Sequence, residues 1–557
     1  MPARVVNSRL RLLLLVILLV FAALAFRAAW LQTVRASSLA ARAQAQTKAT
    51  LVLPASRGTI FDRLGTPLAI GEQATDVIAD PMQIADPRRE ARIAARVLRI
   101  PAGPLYRALA DRSRGFVYVE RKAPPARATA LAKRNLTGFT FQPDERRVYP
   151  QRTVAAPVLG YAGLDNTGLA GLELELNRQL SGTPGRATVV RDALGQVVDT
   201  TQERPARDGR DVFLTIDSHI QANAEQVLEQ TVRAWHAKDA TAIVMDPRSG
   251  AVLAMAQEPG YDANAYPQAF ARHLTVVHAI NDVFEPGSVF KVVTIGAALS
   301  EHKVTPNTVF RVPGSLRVAD RVIHDAEPHG TEFLKVSQIL QRSSNIGTVE
   351  IAERYLGEAG LQRWMARFGF GRPTGIDFPG ESPGILPSYW SGSTIGNVPI
   401  GQGVSVTAIQ LAAVYSAIAN NGLWVQPHLV DHVLGERPPR LARRRILAPG
   451  VDAELRAMLR GVVSDQGTAV GASIPGYSVA GKTGTAQKPG PHGYIPGAYV
   501  ATFVGMVPAS RPRLVVLVSV DQPHGQIYGG LVAAPAFEQI ASFDLQYLEV
   551  PPDLRLR

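Results

Sequence analysis

The segment Glu285-Pro-Gly-Ser-Val-Phe-Lys291 sets a hydroxyl and an amine three residues apart. Pro286 and Gly287 mark a helix start, and the apolar run after Lys291 continues that helix. Ser288 then falls in the first turn, with Lys291 one turn along on the same face. A serine is a poor nucleophile until a base takes its proton. A lysine can be that base only if its pKa is lowered, which burial or the positive end of a helix achieves. The helix start also offers unpaired backbone N–H groups to an oxyanion.

Two further clusters can complete such a site. Ser343-Ser344-Asn345 ends a helical stretch, and a hydroxyl and an amide at i and i+2 can face one cleft there. Ser343 can pass a proton to a leaving group, while Asn345 orients a lysine and a substrate carbonyl. The same letters also make a good helix stop. Lys482-Thr-Gly-Thr485, preceded by Tyr477-Ser-Val-Ala, suits an edge strand. Lys482, Thr483 and Thr485 can hold a carboxylate by charge-assisted hydrogen bonds, and Gly484 lets a substrate backbone approach.

Gly476 to Thr483 also fits the phosphate-loop pattern G-x-x-x-x-G-K-[ST]. That loop needs a buried strand before it and a helix after it. Ala472-Ser-Ile-Pro-Gly is a poor strand, and Gly484-Thr-Ala-Gln-Lys-Pro-Gly-Pro cannot be a helix. Nucleotide chemistry is therefore set aside. His324 and His329 lie on a turn-rich stretch and read as surface histidines. No metal ligand set, HExxH or GxSxG pattern competes.

The elements that position these residues are those of an α+β protein. Pro- and Gly-punctuated sequence from about Leu51 to Arg207 holds short strands (Thr75–Ala79, Phe116–Glu120, Ala187–Val190) and helices (Arg89–Leu98, Ala126–Lys133). A larger region begins near Asp208. It opens with an alternating strand over Asp211–Asp217, a helix over Ser218–Ala234 and a hairpin of 242–246 with 251–256. Strands Tyr499–Val507 and Leu514–Val520 close it. Helices fill the middle: Lys291–Ser300, Val336–Ser343, Thr348–Leu356, Ala408–Asn420 and Ala453–Val463. Strands from both ends with helices between predict one mainly antiparallel sheet covered by helices.

The 557 residues carry a net charge of +12, with 46% hydrophobic and 19% charged residues and no cysteine. Globular domains are expected, without disulfides or thiolate chemistry. No aromatic-plus-basic pattern for stacking bases is present, so nucleic acid is not an expected partner. The basic cluster Arg440, Arg443, Arg444 and Arg445 reads as a solvated loop. Leu12–Phe26 is unbroken apolar sequence, extended past Arg27 by Ala28, Ala29, Trp30 and Leu31. With Arg27 snorkelling, it suffices for one membrane span. Arg4, Arg9 and Arg11 favour an N-terminus inside. A cleaved signal peptide is the alternative, with candidate sites at Ala41-Arg42-Ala43 and Ala43-Gln44-Ala45. Gln32 to about Lys48 can extend the anchor helix. The expected layout is a tail and anchor over 1–31, an irregular α+β module over 32–207 and a larger domain over 208–557.

At these motifs the chain resembles the class B penicillin-binding proteins, and the resemblance covers nearly its whole length. Arg57-Gly-Thr-Ile-Phe-Asp-Arg63 with Gly65, Arg147-Val-Tyr-Pro150 and Gly168-Leu-Ala-Gly-Leu-Glu173 look like motifs of the family's pedestal domain. Leu64 stands where asparagine is usual, and Pro157 where histidine is frequent. Leu214-Thr-Ile-Asp217, Glu285-Pro-Gly-Ser288, Gly401-Gln-Gly403 and Ala480-Gly-Lys-Thr-Gly-Thr485 look like transpeptidase-domain motifs. The compact pedestal and the lack of a C-terminal extension look more like the division subgroup than the elongation one.

The resemblance implies a fold of the penicillin-binding and serine β-lactamase type, and a monofunctional peptidoglycan D,D-transpeptidase. Ser288 would attack the bond between the terminal D-alanines of a stem peptide, and Lys291 would take its proton. Ser343 would protonate the departing D-alanine, and Asn345 would hold Lys291 and the substrate. Lys482, Thr483, Gly484 and Thr485 would bind the donor, with the N–H groups of Ser288 and Thr485 as oxyanion hole. The amine of a second stem peptide would release the product. No cofactor or metal is implied, and β-lactams would acylate Ser288. A membrane glycosyltransferase and other division proteins are the implied partners, with the catalytic domain outside the cytoplasmic membrane. A water-using carboxypeptidase or β-lactamase could employ the same residues. A non-catalytic sensor would need a cytoplasmic signalling portion, for which Met1–Arg11 is too short.

Overall fold

The computed structural model describes residues 3–39, 48–191, 197–491 and 493–554. The candidate cleavage sites and about half of the expected anchor extension, at 40–47, lie outside them. The chain divides into two compact units, residues 1–56 with 182–208, and residues 57–181 with 209–557.

In the first unit a helix runs from Ala3 to Thr33. Its stretch Arg9–Thr33 is long and apolar enough to cross a membrane, and none of it is buried in protein. Twenty-five helical residues span about 37 Å, against about 30 Å of bilayer hydrocarbon. The same unit holds a three-stranded antiparallel sheet of Lys48–Leu53, Gly185–Arg191 and Val197–Arg204, with Gly185–Arg191 in the centre.

The second unit is built on two larger sheets. One has six strands and draws on both sides of residue 208. Val212–Leu214 lies parallel to Ile60–Phe61 and antiparallel to Val430–Val433. The long strand Pro67–Ala79 then pairs with Val117–Ala123 and Phe139–Val148. The expected strand over 211–217 is thus shorter. Its end is taken by a helix cap, where Asp217 accepts hydrogen bonds from the backbone N–H groups of His219 and Ile220.

Three motifs far apart in sequence meet beneath this sheet. The Glu173 carboxylate, wholly buried, takes Arg57 Nε at 2.7 Å on one oxygen and Arg147 Nε at 2.6 Å on the other. Arg57 also donates to the Asn166 and Glu173 carbonyls, Asn177 Oδ1 and Ser181 Oγ. Two buried guanidiniums on one carboxylate tie the start of the sheet to its far side. Leu64, by contrast, is exposed.

The other sheet is antiparallel throughout, in the order Val252–Glu258, Asp239–Met245, Leu514–Asp521, Gly493–Val507, Ala480–Gly490. Its middle strands are continuous apolar runs such as Leu514-Val-Val-Leu-Val-Ser-Val, buried on both faces. Such strands need cover on both sides. Ser218–Trp235 and Gly529–Tyr547 pack against this sheet, as does Ala408–Ala419, every residue of which is buried. Apolarity all round is what an enclosed helix requires.

Helix limits depart from expectation where caps decide them. The helix expected from Thr348 begins at Asn345, because Ser344 Oγ accepts from the Gly347 N–H at 3.0 Å. After Ile351 it passes into a π-turn over Ala352–Leu356. Pro449, favourable at a first helical turn, starts Pro449–Val462 ahead of the expected Ala453. Of the arginine cluster, Arg440 is exposed in a loop as expected, while Arg443 and Arg445 are exposed on a strand and Arg444 is half-buried. Arg443–Arg445 is a strand paired with Leu423–Val425. The Arg444 guanidinium lies 4.4 Å from the Trp424 ring centroid and donates to the carbonyls of Arg367 and Phe368. Those are free carbonyls of a helix end, which a cation satisfies.

Candidate active site

Ser288 lies in a 3-10 turn, Gly287–Phe290, from which the buried helix Lys291–Ser300 continues. Three glycines let this turn seat. Gly401, at φ +78°, sits where an added Cβ would lie 2.2 Å from the Gly287 carbonyl oxygen, and its own carbonyl accepts the Gly287 N–H at 3.0 Å. Gly287 stands at φ +55°, with its Cβ position 3.1 Å from the Thr485 carbonyl oxygen. At Gly484 a Cβ would meet the Pro286 carbonyl oxygen at 2.8 Å and Val289 Cγ1 at 3.2 Å. The missing side chain of Gly484 therefore makes room for the serine turn. Ser288 itself is half-buried, and among the described residues none hydrogen-bonds its hydroxyl.

Lys291 is fully buried with its Nζ fixed by three acceptors: the Ser343 carbonyl at 2.5 Å, Asn345 Oδ1 at 2.7 Å and Ser343 Oγ at 3.2 Å. Lys482, also fully buried, reaches the same Ser343 Oγ at 2.9 Å and Thr483 Oγ1 at 3.3 Å. Residues from three parts of the chain thus converge on one hydroxyl. No carboxylate lies within ion-pairing distance of either amine among the described residues. Burial pushes the Lys291 ammonium down to about 7, with the Asp325 charge opposing. Burial, and then the charge of Lys291, holds Lys482 well below the ordinary lysine range. Desolvated lysines that cannot both stay charged are the condition for one to act as a base.

The Lys-Thr-Gly strand is the edge of its sheet, and its neighbours are partly committed. Thr483 Oγ1 bonds Thr468 Oγ1 at 2.7 Å, and Thr485 Oγ1 accepts the Gly529 N–H at 3.2 Å. One N–H of the Asn345 amide goes to the His324 carbonyl at 2.9 Å, leaving a second for another acceptor.

Several residues here carried no signal in the sequence. Asp325 accepts from Ser344 Oγ, Asn345 N and Ile346 N, and His329 Nε2 is 3.1 Å from its Oδ2. His329 is therefore a half-buried partner of this turn rather than a surface residue. His324 is exposed. Glu285 holds the Gly401-Gln-Gly403 loop through the Gly403 N–H at 2.9 Å and accepts from Tyr494 Oη at 2.9 Å. Glu285 was marked by its place in Glu285-Pro-Gly-Ser288, whereas nothing in the sequence marked Asp325. Among the described residues no group of three or more His, Asp or Glu side chains is placed to hold a metal.

Residues 240–542 match the penicillin-binding protein transpeptidase domain, and residues 52–214 match the penicillin-binding protein dimerisation domain. The chain is 35% identical to the probable peptidoglycan D,D-transpeptidase PbpC of Pseudomonas aeruginosa, over 98% of its own length and 96% of the relative's. It is 32% identical to the peptidoglycan D,D-transpeptidase FtsI of Escherichia coli, over 99% and 94%. Among solved structures, penicillin-binding protein 3 from Mycobacterium tuberculosis, complexed with aztreonam, superposes with a TM-score of 0.73 at 30% identity. That likeness covers 91% of this chain and 99% of the other.

Proposed function

The chain belongs to the class B penicillin-binding proteins, and from that premise we propose that it is a peptidoglycan D,D-transpeptidase working through an acyl-enzyme on Ser288. The observation that carries the proposal is Ser343 Oγ, shared by the buried amines of Lys291 and Lys482.

The donor stem peptide brings a terminal carboxylate to Lys482, Thr483 and Thr485. That charge supplies the anion the site lacks, so it draws a proton onto Lys482 and favours a neutral Lys291. Neutral Lys291 takes the Ser288 proton as Oγ attacks the carbonyl between the two terminal D-alanines. The tetrahedral oxyanion is met by the N–H groups of Ser288 and Thr485. Ser343, hydrogen-bonded to both amines, passes a proton to the leaving D-alanine nitrogen, and Asn345 keeps Lys291 aligned. The amine of a second stem peptide then attacks the ester, forming the cross-link and freeing Ser288. The energy of the broken amide drives the exchange.

The resemblance to FtsI supports a role in septal wall synthesis during cell division. The apolar helix Arg9–Thr33 supports a single-pass anchor in the cytoplasmic membrane, with residues 32–207 as pedestal and 208–557 as catalytic domain outside it. A membrane glycosyltransferase making the glycan strand is the partner such a role requires. The test is a reconstituted reaction with stem-peptide-bearing glycan and a labelled amine acceptor. Cross-linked product with equimolar free D-alanine is expected. D-alanine released without label incorporation would make the protein a hydrolase instead.

A further inference from the structure

The turn that presents Ser343 and Asn345 is held from outside itself. Ser343 stands at φ +60°, the left-handed residue that closes the helix Val336–Gln341, with its N–H on the Leu340 carbonyl at 3.3 Å and the Ser344 N–H on the Ile339 carbonyl at 2.9 Å. The three residues after Ser343 are gripped from outside by the Asp325 carboxylate. Its Oδ1 accepts the N–H groups of Asn345 at 2.5 Å and Ile346 at 2.9 Å, and its Oδ2 accepts the Ser344 hydroxyl at 2.7 Å. His329 Nε2 approaches the same Oδ2 at 3.1 Å, while its Nδ1 is 2.6 Å from the Gly330 carbonyl. The residue before Asp325 is also engaged, since the His324 carbonyl takes the Asn345 amide.

We propose that Asp325 is a positioning residue for acyl transfer: by gripping the three residues after Ser343, it sets the Ser343 hydroxyl and the Asn345 amide oxygen on Lys291. The proposal rests on the Ser288 and Lys291 roles given above. A carboxylate meets the geometry where an amide does not. Three donors and a histidine converge on two oxygens, whereas an asparagine would offer one acceptor and turn an N–H against the others. The charge has a second consequence. It acts on Lys291, where it opposes the effect of burial. The titratable groups around it are Lys291, with Lys482 behind, on the cleft side and His329 on the loop side.

The experiment compares the full-length protein with Asp325→Asn and Ser344→Ala, measuring acylation of Ser288 by a fluorescent penicillin from about pH 5 to pH 9. Asp325→Asn is expected to acylate about 100-fold more slowly on the alkaline plateau, as misplaced catalytic groups do. Its acid limb is expected to move to lower pH, because Lys291 loses a neighbouring negative charge. Ser344→Ala, which keeps the charge and loses one bond, is expected to slow acylation less and leave the acid limb in place. An Asp325→Asn rate within about threefold of the parent, or a slowed rate with an unmoved acid limb, would overturn the proposal. Should circular dichroism show Asp325→Asn unfolded, Ser344→Ala decides alone: slowed acylation in a folded protein supports the proposal, and a parental rate overturns it. Failure of the parent to label at Ser288 would instead remove the acyl-enzyme reading on which it stands.

Discussion

A lysine can serve as a base near neutral pH only if something lowers its ordinary affinity for protons, and here enclosure does so. Lys291 is fully buried, and its titration near 7 should appear directly in the chemistry. The rate of penicillin acylation is expected to fall on the acid side with a midpoint near pH 7, read from a pH–rate profile. The sign for stability follows from the same shift. Between about 7 and the ordinary lysine value of about 10.5 the unfolded chain binds the proton and the folded one does not, so this residue's contribution to stability is lost as pH falls through that window. Lys291→Arg cannot give up its proton, and it is expected to slow acylation by about 10²–10⁴-fold while leaving the fold intact by circular dichroism.

Elements matter through what they leave out as much as what they carry. The serine turn seats because Gly401, Gly287 and Gly484 lack side chains at three successive contacts. Gly401→Ala combines a positive φ with a 2.2 Å collision against backbone, so a loss of about 1–3 kcal/mol in chemical denaturation is expected, together with slowed acylation. The sequence made the motif glycines visible but not their partners. A glycine in a strand signals close approach, and only the fold says whether substrate or a neighbouring turn does the approaching. Ser288, Lys291, Ser343, Asn345 and Lys482 were legible because each sits at a helix start, a helix stop or a strand edge, which local letters mark. Asp325 was not, because it lies on a loop without periodicity and acts on a turn twenty residues away. Arg444 misled for a related reason. Charge suggests water, but Trp424 and open helix carbonyls are equally good company for a guanidinium.

At the scale of the molecule, the antiparallel sheet made from both ends of the larger region followed from strand runs at each end with helices between. The six-stranded sheet did not, because Ile60–Phe61 and Val212–Leu214 are too short to announce a pairing across 150 residues of chain. Its lock is Glu173, shared by Arg57 and Arg147. Glu173→Gln leaves two buried guanidiniums without a counter-charge, and a loss of about 3–5 kcal/mol is expected in urea unfolding. Removing residues 1–39 is expected to move the protein from the membrane to the soluble fraction on cell fractionation, with penicillin labelling retained. The measurement that bears most directly on the whole account is intact-mass and peptide-mapping spectrometry of the full-length protein after brief exposure to penicillin, beside Ser288→Ala. The account requires one slowly released adduct on the peptide bearing Ser288 and none in the variant. An adduct on another side chain, or equal labelling of Ser288→Ala, would contradict it.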